Sequence, residues 1–458
     1  MGLFDALTSA VSGLQAQAYA MQNISGNIAN SQTIAYKGIN TNFEDLLPGS
    51  QIPSQQVAGG VLSSSVATNT VQGQIQTASS PTDMAINGDG YFMVESPTSF
   101  NGTQPVFGGD IAYTRRGDFQ LNANGYLVNG AGYYLEGIPI DSATGIAVGN
   151  TAQPLQFLNN FLPANPTTAI NYAINLPATP QTSNYSSSVP NSDLLNPSDF
   201  TTDPTVAGTG TVTGADAATF IKESVDGGSV TVYDSNGTPQ NLQIRWAKTA
   251  SATSGGTDTW EMFYETNSSA TGTQVAWQNA GIDFTFNSSG QLSPSVTSIA
   301  LNNVTINGDS LGNLTVKSTV GGITQFASTS GQSTVNSIQQ NGYAAGELQS
   351  IAVGENGLIT GTFSNGQNVN LAEIPLVHFN GEDSLNALSG GAYQATDGSG
   401  PALAGASGKI AGQSLEGSNT DIATEFTKLI VTQQAYSANT KVITTANQMS
   451  QDLMNVLR

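Results

Sequence analysis

Charged residues are scarce in this chain. Asp, Glu, Lys and Arg together make up 9% of its 458 residues, well under the roughly 25% of an ordinary globular protein. Eleven residues are basic and 32 are acidic, which gives a formal net charge of −21. A nucleic-acid-binding face needs clustered Lys and Arg, whereas the basic residues here are scattered. The composition therefore excludes nucleic acid as a partner.

Cysteine and long apolar runs are absent as well. Without cysteine there are no disulfides, so stability has to come from packing and assembly. No apolar run approaches the ~18 residues of a membrane-spanning helix. Asp5 precedes the first basic residue, Lys37, which is not the pattern of a cleaved secretory signal. We expect no membrane insertion, and a chain that is either cytosolic or exported without signal cleavage.

Residues typical of catalytic and metal sites are also few. His378 is the single histidine, and a Ser-His-Asp triad or an imidazole-containing zinc site would depend on it. It stands in a strand-like run, which favours a packing role. Acidic pairs such as Glu382 and Asp383 are typical of solvated turns. The sequence thus predicts no catalytic residue, no metal site and no cofactor.

What the chain does have is a matching apolar seam at each end. Between Leu3 and Ile28, apolar residues recur at steps of four and three, the spacing that keeps one helix face against a partner. The same alternation begins at Ile422 and continues to Leu453, with an extra three-residue step before Met449. A single helix of this kind is marginal in water. We therefore predict that the two ends pair as helices, and that these pairs pack against copies in a polymer.

The residues predicted to make contacts between copies lie on these seams or directly beside them. They are Phe4, Leu7, Val11, Leu14, Met21, Asn27, Ile28, Asn30, Thr33, Tyr36 and Lys37 at one end, and Ser418, Asn419, Ile422, Phe426, Leu429, Gln433, Tyr436, Asn439, Ile443, Met449 and Leu453 at the other. Ser418 to Asp421 has the spacing of a capping box and is predicted to open the last helix. One alternative stays open, in which the seams are core helices of a monomer and the asparagines beside them are simple helix caps.

Between the ends, the sequence is typical of short strands and turns. Asn-Gly and Asp-Gly steps between alternating runs, as in Met84–Val94, predict β-hairpins. The fold class is thus α+β and mainly β, with antiparallel β domains nested between terminal helices that pair as a coiled-coil-like core. The predicted organisation is paired helices over 1–30 and 415–458, an extended arm over 31–80, a β-rich domain from 81–145 and 340–390, an inserted β-rich region over 146–339, and a Gly/Ala/Ser linker over 391–414.

Short motifs at both ends resemble those of bacterial flagellar axial proteins, the family of rod, hook and hook-associated proteins. Asn27-Ile-Ala-Asn30 followed by Thr33-Ile-Ala-Tyr-Lys-Gly38 resembles their N-terminal signature, and Leu415-Glu-Gly-Ser-Asn419 with Gln433-Gln-Ala-Tyr-Ser-Ala-Asn439 resembles their C-terminal signature. The returning β segment, the arm at 31–80 and the presence of a large insert resemble the hook proteins in particular, although the insert itself, 146–339, carries no matching motif. The chain departs from the family pattern at Ala35, where Gly is usual, and at Thr420, where Val or Leu is usual.

The resemblance implies a structural subunit without enzymatic activity. Hook proteins form a curved, hollow tube that joins rod to filament and transmits torque as a universal joint. The terminal helices would line the inner wall and the β domains would form the outer layers. The implied partners are copies of the chain, rod proteins, the hook cap, hook–filament junction proteins and the export apparatus, and the implied location is the extracellular flagellum.

Two other interpretations remain open from the sequence. The first is a distal rod or hook-associated protein, although rod members lack so large an insert. The second comes from a different class, a secreted acidic β-rich hydrolase or adhesin whose helical ends cap one monomer. The self-association of the full chain distinguishes this second interpretation from the polymer.

Overall fold

The structure, a computed structural model, describes residues 3–46, 59–142, 144–158 and 161–456. The chain divides into two compact units. Unit 1 combines Met1–Asn160 with Leu348–Arg458, and unit 2 is Phe161–Glu347. The predicted insertion, 146–339, covers most of unit 2.

Strands outnumber helices throughout the described residues. The helices are α1 (Leu3–Ala29), α2 (Ala217–Glu223) and α3 (Ile422–Val456). The strands are β1 (Ile39–Asp45), β2 (Val61–Ala67), β3 (Ile75–Thr77), β4 (Met84–Asn87), β5 (Tyr91–Glu95), β6 (Ser99–Asn101), β7 (Gln104–Val106), β8 (Ile111–Thr114), β9 (Phe119–Leu121), β10 (Leu127–Asn129), β11 (Tyr134–Pro139), β12 (Gln153–Pro154), β13 (Phe161–Leu162), β14 (Ala169–Asn175), β15 (Thr211–Thr213), β16 (Val225–Tyr233), β17 (Pro239–Ala250), β18 (Thr259–Glu265), β19 (Val275–Thr285), β20 (Ser298–Ile306), β21 (Asp309–Lys317), β22 (Ile323–Thr324), β23 (Thr334–Gln340), β24 (Gly346–Val353), β25 (Leu358–Phe363), β26 (Asn368–Glu373), β27 (Leu376–His378), β28 (Asn386–Ala387), β29 (Ala392–Gln394), β30 (Leu403–Ala404), β31 (Lys409–Gly412) and β32 (Ser414–Glu416).

The terminal helices α1 and α3 pack against each other within unit 1. The buried face of α1 consists mostly of small residues, namely Ala10, Gly13, Ala16, Ala20, Ile24 and Asn27. A Cβ atom added to Gly13 would lie 2.8 Å from the side-chain nitrogen of Asn439. Small side chains on this face therefore let α3 approach α1 closely.

Helix α3 begins later than predicted. Leu415 and Glu416, placed in the terminal helix segment by the sequence, belong instead to strand β32, which pairs with β3. The helix begins at Ile422, where the Asp421 carboxylate accepts a hydrogen bond from the backbone N–H of Thr424 (2.8 Å). Ser418 instead bonds the hydroxyl of Thr420 (2.8 Å). Asp421 is therefore the N-cap of α3, because its carboxylate accepts from a first-turn N–H that has no carbonyl partner within the helix.

The described part of the predicted arm forms a two-stranded ribbon along α1, and its strand β3 pairs separately with β32. Strands β1 and β2 pair antiparallel, from Ile39 opposite Ala67 to Asp45 opposite Val61. The ribbon bonds the helix through the hydroxyls of Tyr19 and Ser65 (2.8 Å). The ribbon therefore adds a β layer to the helix pair, and residues 47–58 of the arm lie outside the described residues.

The β domain of unit 1 is an antiparallel sheet with attached hairpins. Its strand order is β24-β25-β26-β11-β5-β8-β29-β28. The predicted linker, 391–414, is not a linker in the structure, since β29 pairs with β8 and β31 pairs with β4. Its small residues permit close packing between strands. A Cβ atom on Gly412, for example, would lie 2.1 Å from the carbonyl oxygen of Val353.

Unit 2 consists of two five-stranded sheets. One has the order β20-β21-β14-β22 with β23 beside β14, and the other has the order β15-β19-β18-β17-β16. A shared core lies between them and includes Tyr172, Trp246 and Phe284. Helix α2 covers the opposite face of the second sheet, where Phe220 packs on Phe263 and Trp277.

The predicted fold class, α+β and mainly β with helices at both ends, is confirmed. One detail of the pairing differs, because β14 runs parallel to β21 and to β22. These strands are far apart in sequence, so no hairpin turn fixes their direction. No helix among the described residues is long and apolar enough to cross a membrane.

Candidate functional site

The chain ends meet the β domain at one cluster of buried polar side chains, which we name the junction. Its members are Asn27, Lys37, Arg115, Glu416 and Asn419. The side chains of Asn27, Lys37, Arg115 and Glu416 are almost completely buried. Buried polar groups are stable only when they are hydrogen-bonded or paired. The contacts of each member therefore show what the junction holds together.

Asn27 connects the end of α1 to both following segments. Its side-chain oxygen accepts from the N–H of Ile39 (2.9 Å), and its nitrogen donates to the Ile39 carbonyl (3.0 Å) and to the Glu425 carboxylate (3.1 Å). The hydroxyl of Tyr36 also donates to Asn27 (3.3 Å). One asparagine thus fixes the start of β1 and the first turn of α3 against the last turn of α1.

Asn419 makes the reciprocal connection from the C-terminal side. Its side-chain oxygen accepts from the N–H of Gly38 (2.8 Å). Its nitrogen donates to the hydroxyl of Thr68 (2.9 Å) and to the carbonyl of Val71 (3.1 Å). The segment before α3 is thereby bound to both sides of the arm.

Glu416 and Lys37 form a buried ion pair at the centre of the junction. Nζ of Lys37 lies 2.5 Å from Oε1 of Glu416 and donates to the carbonyl of Val71 (2.8 Å). The same Glu416 oxygen accepts from the N–H of Gly73 (2.7 Å). Burial lowers the pKa of Lys37, and the neighbouring Glu416 carboxylate acts in the opposite direction.

Arg115 connects this ion pair to the β domain. Its Nη1 lies 3.7 Å from Oε2 of Glu416, and its guanidinium lies 5.2 Å from the centre of the Tyr91 ring, a distance typical of a cation–π contact. The ring of Tyr91 packs edge-on against Phe379 and Tyr393. Burial raises the pKa of Tyr393 to about 12, so this aromatic cluster stays uncharged at neutral pH.

Ala35 occupies a turn of the junction whose backbone conformation favours glycine. Its φ of +54° lies in the left-handed region, which is costly for any residue with a Cβ atom. Its N–H donates to the Glu416 carbonyl (2.8 Å). The left-handed turn therefore brings the N-terminal segment directly onto β32.

The structure corrects the predicted role of two residues. Asn27 and Lys37 are 2% and 6% exposed, and Asn30 and Thr33 bond each other in the same turn (3.1 Å). Asn419 and Tyr36 likewise bond within the chain. The two ends of the chain cover Asn27 and Lys37 inside one copy, whereas the half-buried Asn30, Thr33, Tyr36 and Asn419 stay predicted contacts between copies.

Sequence reasoning missed Arg115 and Glu416 as junction residues, and Glu425 as the partner of Asn27. Glu416 stands inside the quoted Leu415–Asn419 motif, and Arg115 is one of only eleven basic residues. In a chain with so few charged residues, a basic residue in a conspicuous motif indicates that it pairs with a buried carboxylate. The sequence could not show which carboxylate it meets, since Arg115 and Glu416 are far apart along the chain.

Many large apolar side chains of the helix pair stay exposed. On α3 they include Phe426 (49% exposed) and Ile430 (55% exposed). Others of the same kind are Val11, Ile422, Val431, Tyr436, Val442, Met449, Leu453 and Met454. Leu7, Leu14, Met21, Ile28, Leu429 and Ile443 are half-buried, whereas Gln433 is exposed. Phe4 lies in α1, and its side chain is outside the described residues.

The described residues hold no group of three or more His, Cys, Asp or Glu that could bind a metal ion. His378 lies in β27, where the neighbouring Val377 and His378 pair with β30. Tyr91 donates to the carboxylate of Glu382 (3.2 Å), one of the acidic pair considered above. The geometry around these residues is that of sheet packing.

Three family models match this chain. "Flagellar hook protein FlgE/F/G D1 domain" matches residues 85–213, "Flagellar basal body protein FlaE D2 domain" matches 197–343, and "Flagellar basal body rod FlgEFG protein C-terminal" matches 411–456. The flagellar hook protein FlgE of Brucella melitensis is 31% identical over 471 residues, covering 100% of both chains. This chain belongs to the family of flagellar hook proteins.

Other hook proteins give the same result. The FlgE of Salmonella typhimurium is 29% identical over 462 residues, covering 98% of this chain and 99% of its own. A crystal structure of the Helicobacter pylori flagellar hook protein FlgE2 aligns with 73% of this chain and 98% of its own, at 17% identity and a TM-score of 0.48. Because that TM-score is low, membership of the hook family rests on the sequence relatives.

Proposed function

We propose that this chain is a structural subunit of the bacterial flagellar hook and polymerises through the exposed apolar side chains of its terminal helix pair. The observation that carries the proposal is the distribution of apolar side chains on these helices. The α1 face toward α3 is small, whereas large residues such as Phe426 and Ile430 point away and stay about half exposed. Contiguous exposed apolar surface of this kind marks a protein–protein contact.

The junction gives this subunit a rigid connection between its helices and its β domain. A torque applied to the helix pair has to pass to the outer layers through the segments that leave α1 and enter α3. Those segments are bound to each other by Asn27 and Asn419 and to the sheet by the Lys37–Glu416–Arg115 cluster. A buried, fully enclosed ion cluster resists displacement because its separation would leave charges unpaired away from water.

The finer parts of the function follow from family membership and are part of this proposal. The hook would act as a universal joint between rod and filament. Its partners would be rod proteins, the hook cap, hook–filament junction proteins and the export apparatus that delivers the chain. The assembled location would be the extracellular part of the flagellum. The structural role leaves no step for enzymatic catalysis.

The test removes part of the exposed apolar surface of α3 without disturbing the contact between α1 and α3. In the full chain, Phe426→Ser and Ile430→Ser together remove two half-exposed apolar side chains from α3. We expect the wild type to form tubes in negative-stain electron micrographs, and the double variant to remain monomeric by sedimentation velocity. The two exposed side chains would contribute mainly to contacts between copies, so their removal should leave the single chain folded. The matched control is Gln434→Ser, a change at an exposed polar position of the same helix.

Far-UV circular dichroism accompanies both variants and is expected to match the wild type. Tubes of normal length from the double variant would refute the proposed surface. A wild type that stays monomeric at high concentration would instead support the alternative of a monomer capped by its own helices.

A further inference from the structure

Unit 2 contains a cavity of about 570 Å³ at the place where its two sheets approach each other at one edge. Strands β18 and β19 of one sheet form one wall, and β20 of the other sheet forms the second wall. All residues that line it belong to unit 2. The proposed hook function uses none of them.

The walls open because the strands bulge on both sides of the cavity. The pairing register of β20 shifts between Leu301 and Val304, and that of β18 with β19 shifts between Glu261 and Phe263. At the first bulge, Asn303 has a φ of +52°, a left-handed conformation that asparagine adopts more readily than most residues. Bulges of this kind are frequent beside binding sites, where they aim side chains.

Tyr264 is the residue that points to a ligand. It is 6% exposed and lines the cavity, yet its hydroxyl makes no hydrogen bond with any residue that the structure describes. The buried hydroxyl of Tyr172 in the same unit, by contrast, donates to the Gly227 carbonyl (2.7 Å) and accepts from Trp246 (3.0 Å). The Tyr264 hydroxyl is not among the fully buried polar atoms without a partner, so it opens onto the cavity, where a bound molecule can form a hydrogen bond with it. Burial raises the pKa of Tyr264, so the phenol stays protonated and is available as a donor.

Further polar groups at the cavity are free and uncharged. Gln278 pairs with Tyr264 across the strands and uses its amide nitrogen for the Gly210 carbonyl (3.3 Å), which leaves its amide oxygen as an acceptor. The side chains of Asn302 and Asn303 line the cavity without a hydrogen bond to the described residues. Asn279 is occupied, because it donates to the Glu261 carboxylate (2.7 Å).

The lining therefore excludes some ligand classes. No charged side chain lines the cavity, so an ionic ligand would lose its hydration without a counter-charge. A purely apolar ligand would leave the Tyr264 hydroxyl and three amides unsatisfied. Amide and phenol groups both donate and accept hydrogen bonds, and the apolar side chains of Ile282 and Leu301 lie beside them.

We propose that this cavity binds a neutral saccharide. Sugar hydroxyls both donate and accept, which matches the free groups of Tyr264, Gln278 and the two asparagines. The C–H faces of the sugar rings would pack on Ile282 and Leu301. The Tyr264 hydroxyl then gains the partner that the protein itself does not provide.

The test measures binding of two neutral disaccharides, maltose and N,N′-diacetylchitobiose, to the full-length protein by saturation-transfer NMR. Glucose 6-phosphate serves as the charged probe and triglycine as the peptide probe. We expect at least one disaccharide to bind in the millimolar range or tighter, and neither other probe to bind. Tyr264→Phe should weaken that binding about three- to tenfold, the effect of one hydrogen bond. It should not weaken the fold, since the hydroxyl has no protein partner to lose.

The matched control is Tyr233→Phe, which changes a tyrosine of the same unit that does not line the cavity. It should leave saccharide binding unchanged. Absence of saturation transfer to both disaccharides, equal affinity in the wild type and Tyr264→Phe, or binding of triglycine alone would each overturn the proposal. These outcomes are independent of the hook function, which the α3 variants test.

Discussion

At the scale of single residues, this chain buries a large share of the few charges it has. Lys37, Arg115 and Glu416, for example, meet in unit 1. A buried charge is tolerated only when paired and hydrogen-bonded. Such residues therefore fix one arrangement of the segments that carry them, and their removal should have larger effects than the removal of surface charges.

The first prediction concerns the ion cluster of the junction. Glu416→Gln removes the carboxylate that neutralises Lys37 and faces Arg115, and leaves two cations buried. We expect the free energy of unfolding of unit 1 to fall by about 3 kcal/mol or more, as for other broken buried pairs. Urea denaturation of the full chain under monomeric conditions measures it.

The control for this variant is Asp118→Asn, which breaks the partly exposed pair between Arg116 and Asp118 (2.8 Å). A partly exposed pair contributes about 1 kcal/mol or less. If both variants lost the same small amount, the buried cluster would not be the stabilising element argued above.

The second prediction is a pH dependence in unit 2. Burial, and next the nearby Asp283, raise the pKa of Glu261 to about 8. Between the unfolded pKa of roughly 4.3 and this value, the folded state holds a proton that the unfolded state has released. The free energy of unfolding therefore falls as the pH rises through this window, by up to about 1.4 kcal/mol per pH unit.

Glu261→Gln should remove this slope, because the amide resembles the protonated acid and its oxygen can still accept from Asn279. Urea denaturation of unit 2 at a series of pH values, in the wild type and the variant, provides the measurement. A slope that persists in the variant would assign the proton to another group of unit 2, with Glu223 and Glu265, whose pKa values burial also raises, as the candidates.

At the scale of elements, the two terminal helices use different faces for different tasks. Gly13 and Asn27 on α1 contact Asn439 and Glu425 on α3. Ala20 lies seven residues from each of the first two and thus on the same face. The large apolar residues of the seams lie mainly off this face. Small side chains therefore make the close contact between α1 and α3 within one chain, while the larger apolar side chains are available for contacts with other copies.

A third prediction tests this division. Ala20→Leu inserts a large side chain into the close contact between α1 and α3, and overpacking of this kind costs about 1 to 3 kcal/mol. Ala18→Leu makes the same chemical change at an exposed position of α1. We expect the first variant to lose stability in urea denaturation followed by far-UV circular dichroism, and the second to unfold like the wild type. Equal behaviour of the two would show that the Ala face is not the packed one.

At the scale of the whole molecule, unit 2 is an insertion whose ends lie side by side. Phe161 and Glu347, its first and last residues, are directly opposite each other in the antiparallel pair of β13 and β24. Cα atoms of such partners are about 5 Å apart. Unit 2 can therefore be removed and the gap closed with a short linker, without stretching the chain of unit 1.

The fourth prediction follows from that geometry. We expect the chain with Phe161–Glu347 replaced by a short Gly-Ser linker to form tubes, because the helices and the junction belong to unit 1. The tubes should be straight or wrongly coiled, since the outer domain that would set the curvature is gone. Electron micrographs of the variant and the wild type decide it, and complete loss of tubes would contradict the assignment of assembly to the helices.

The sequence predicted the helices at both ends, the β-rich region between them and the large insertion. These features depend on local periodicity and on turn residues, which neighbouring positions determine. It placed the start of the last helix at Ser418 instead of Asp421, and it read 391–414 as a linker although small residues there form strands. Both errors arise because Gly, Ser and Ala permit strand, turn and coil alike. The secondary structure of such segments therefore depends on strands elsewhere in the chain that pair with them.

What the sequence determined by itself is the amphipathic character of the ends and the scarcity of charge, because both are properties of residue order and composition. The tertiary structure alone decided which face of each helix is covered, and that Asn27 and Lys37 are held inside one copy. It also brought Arg115 to Glu416 and left the Tyr264 hydroxyl without a hydrogen bond to any described residue. Such contacts join residues far apart along the chain, and only the folded backbone fixes the distance between them.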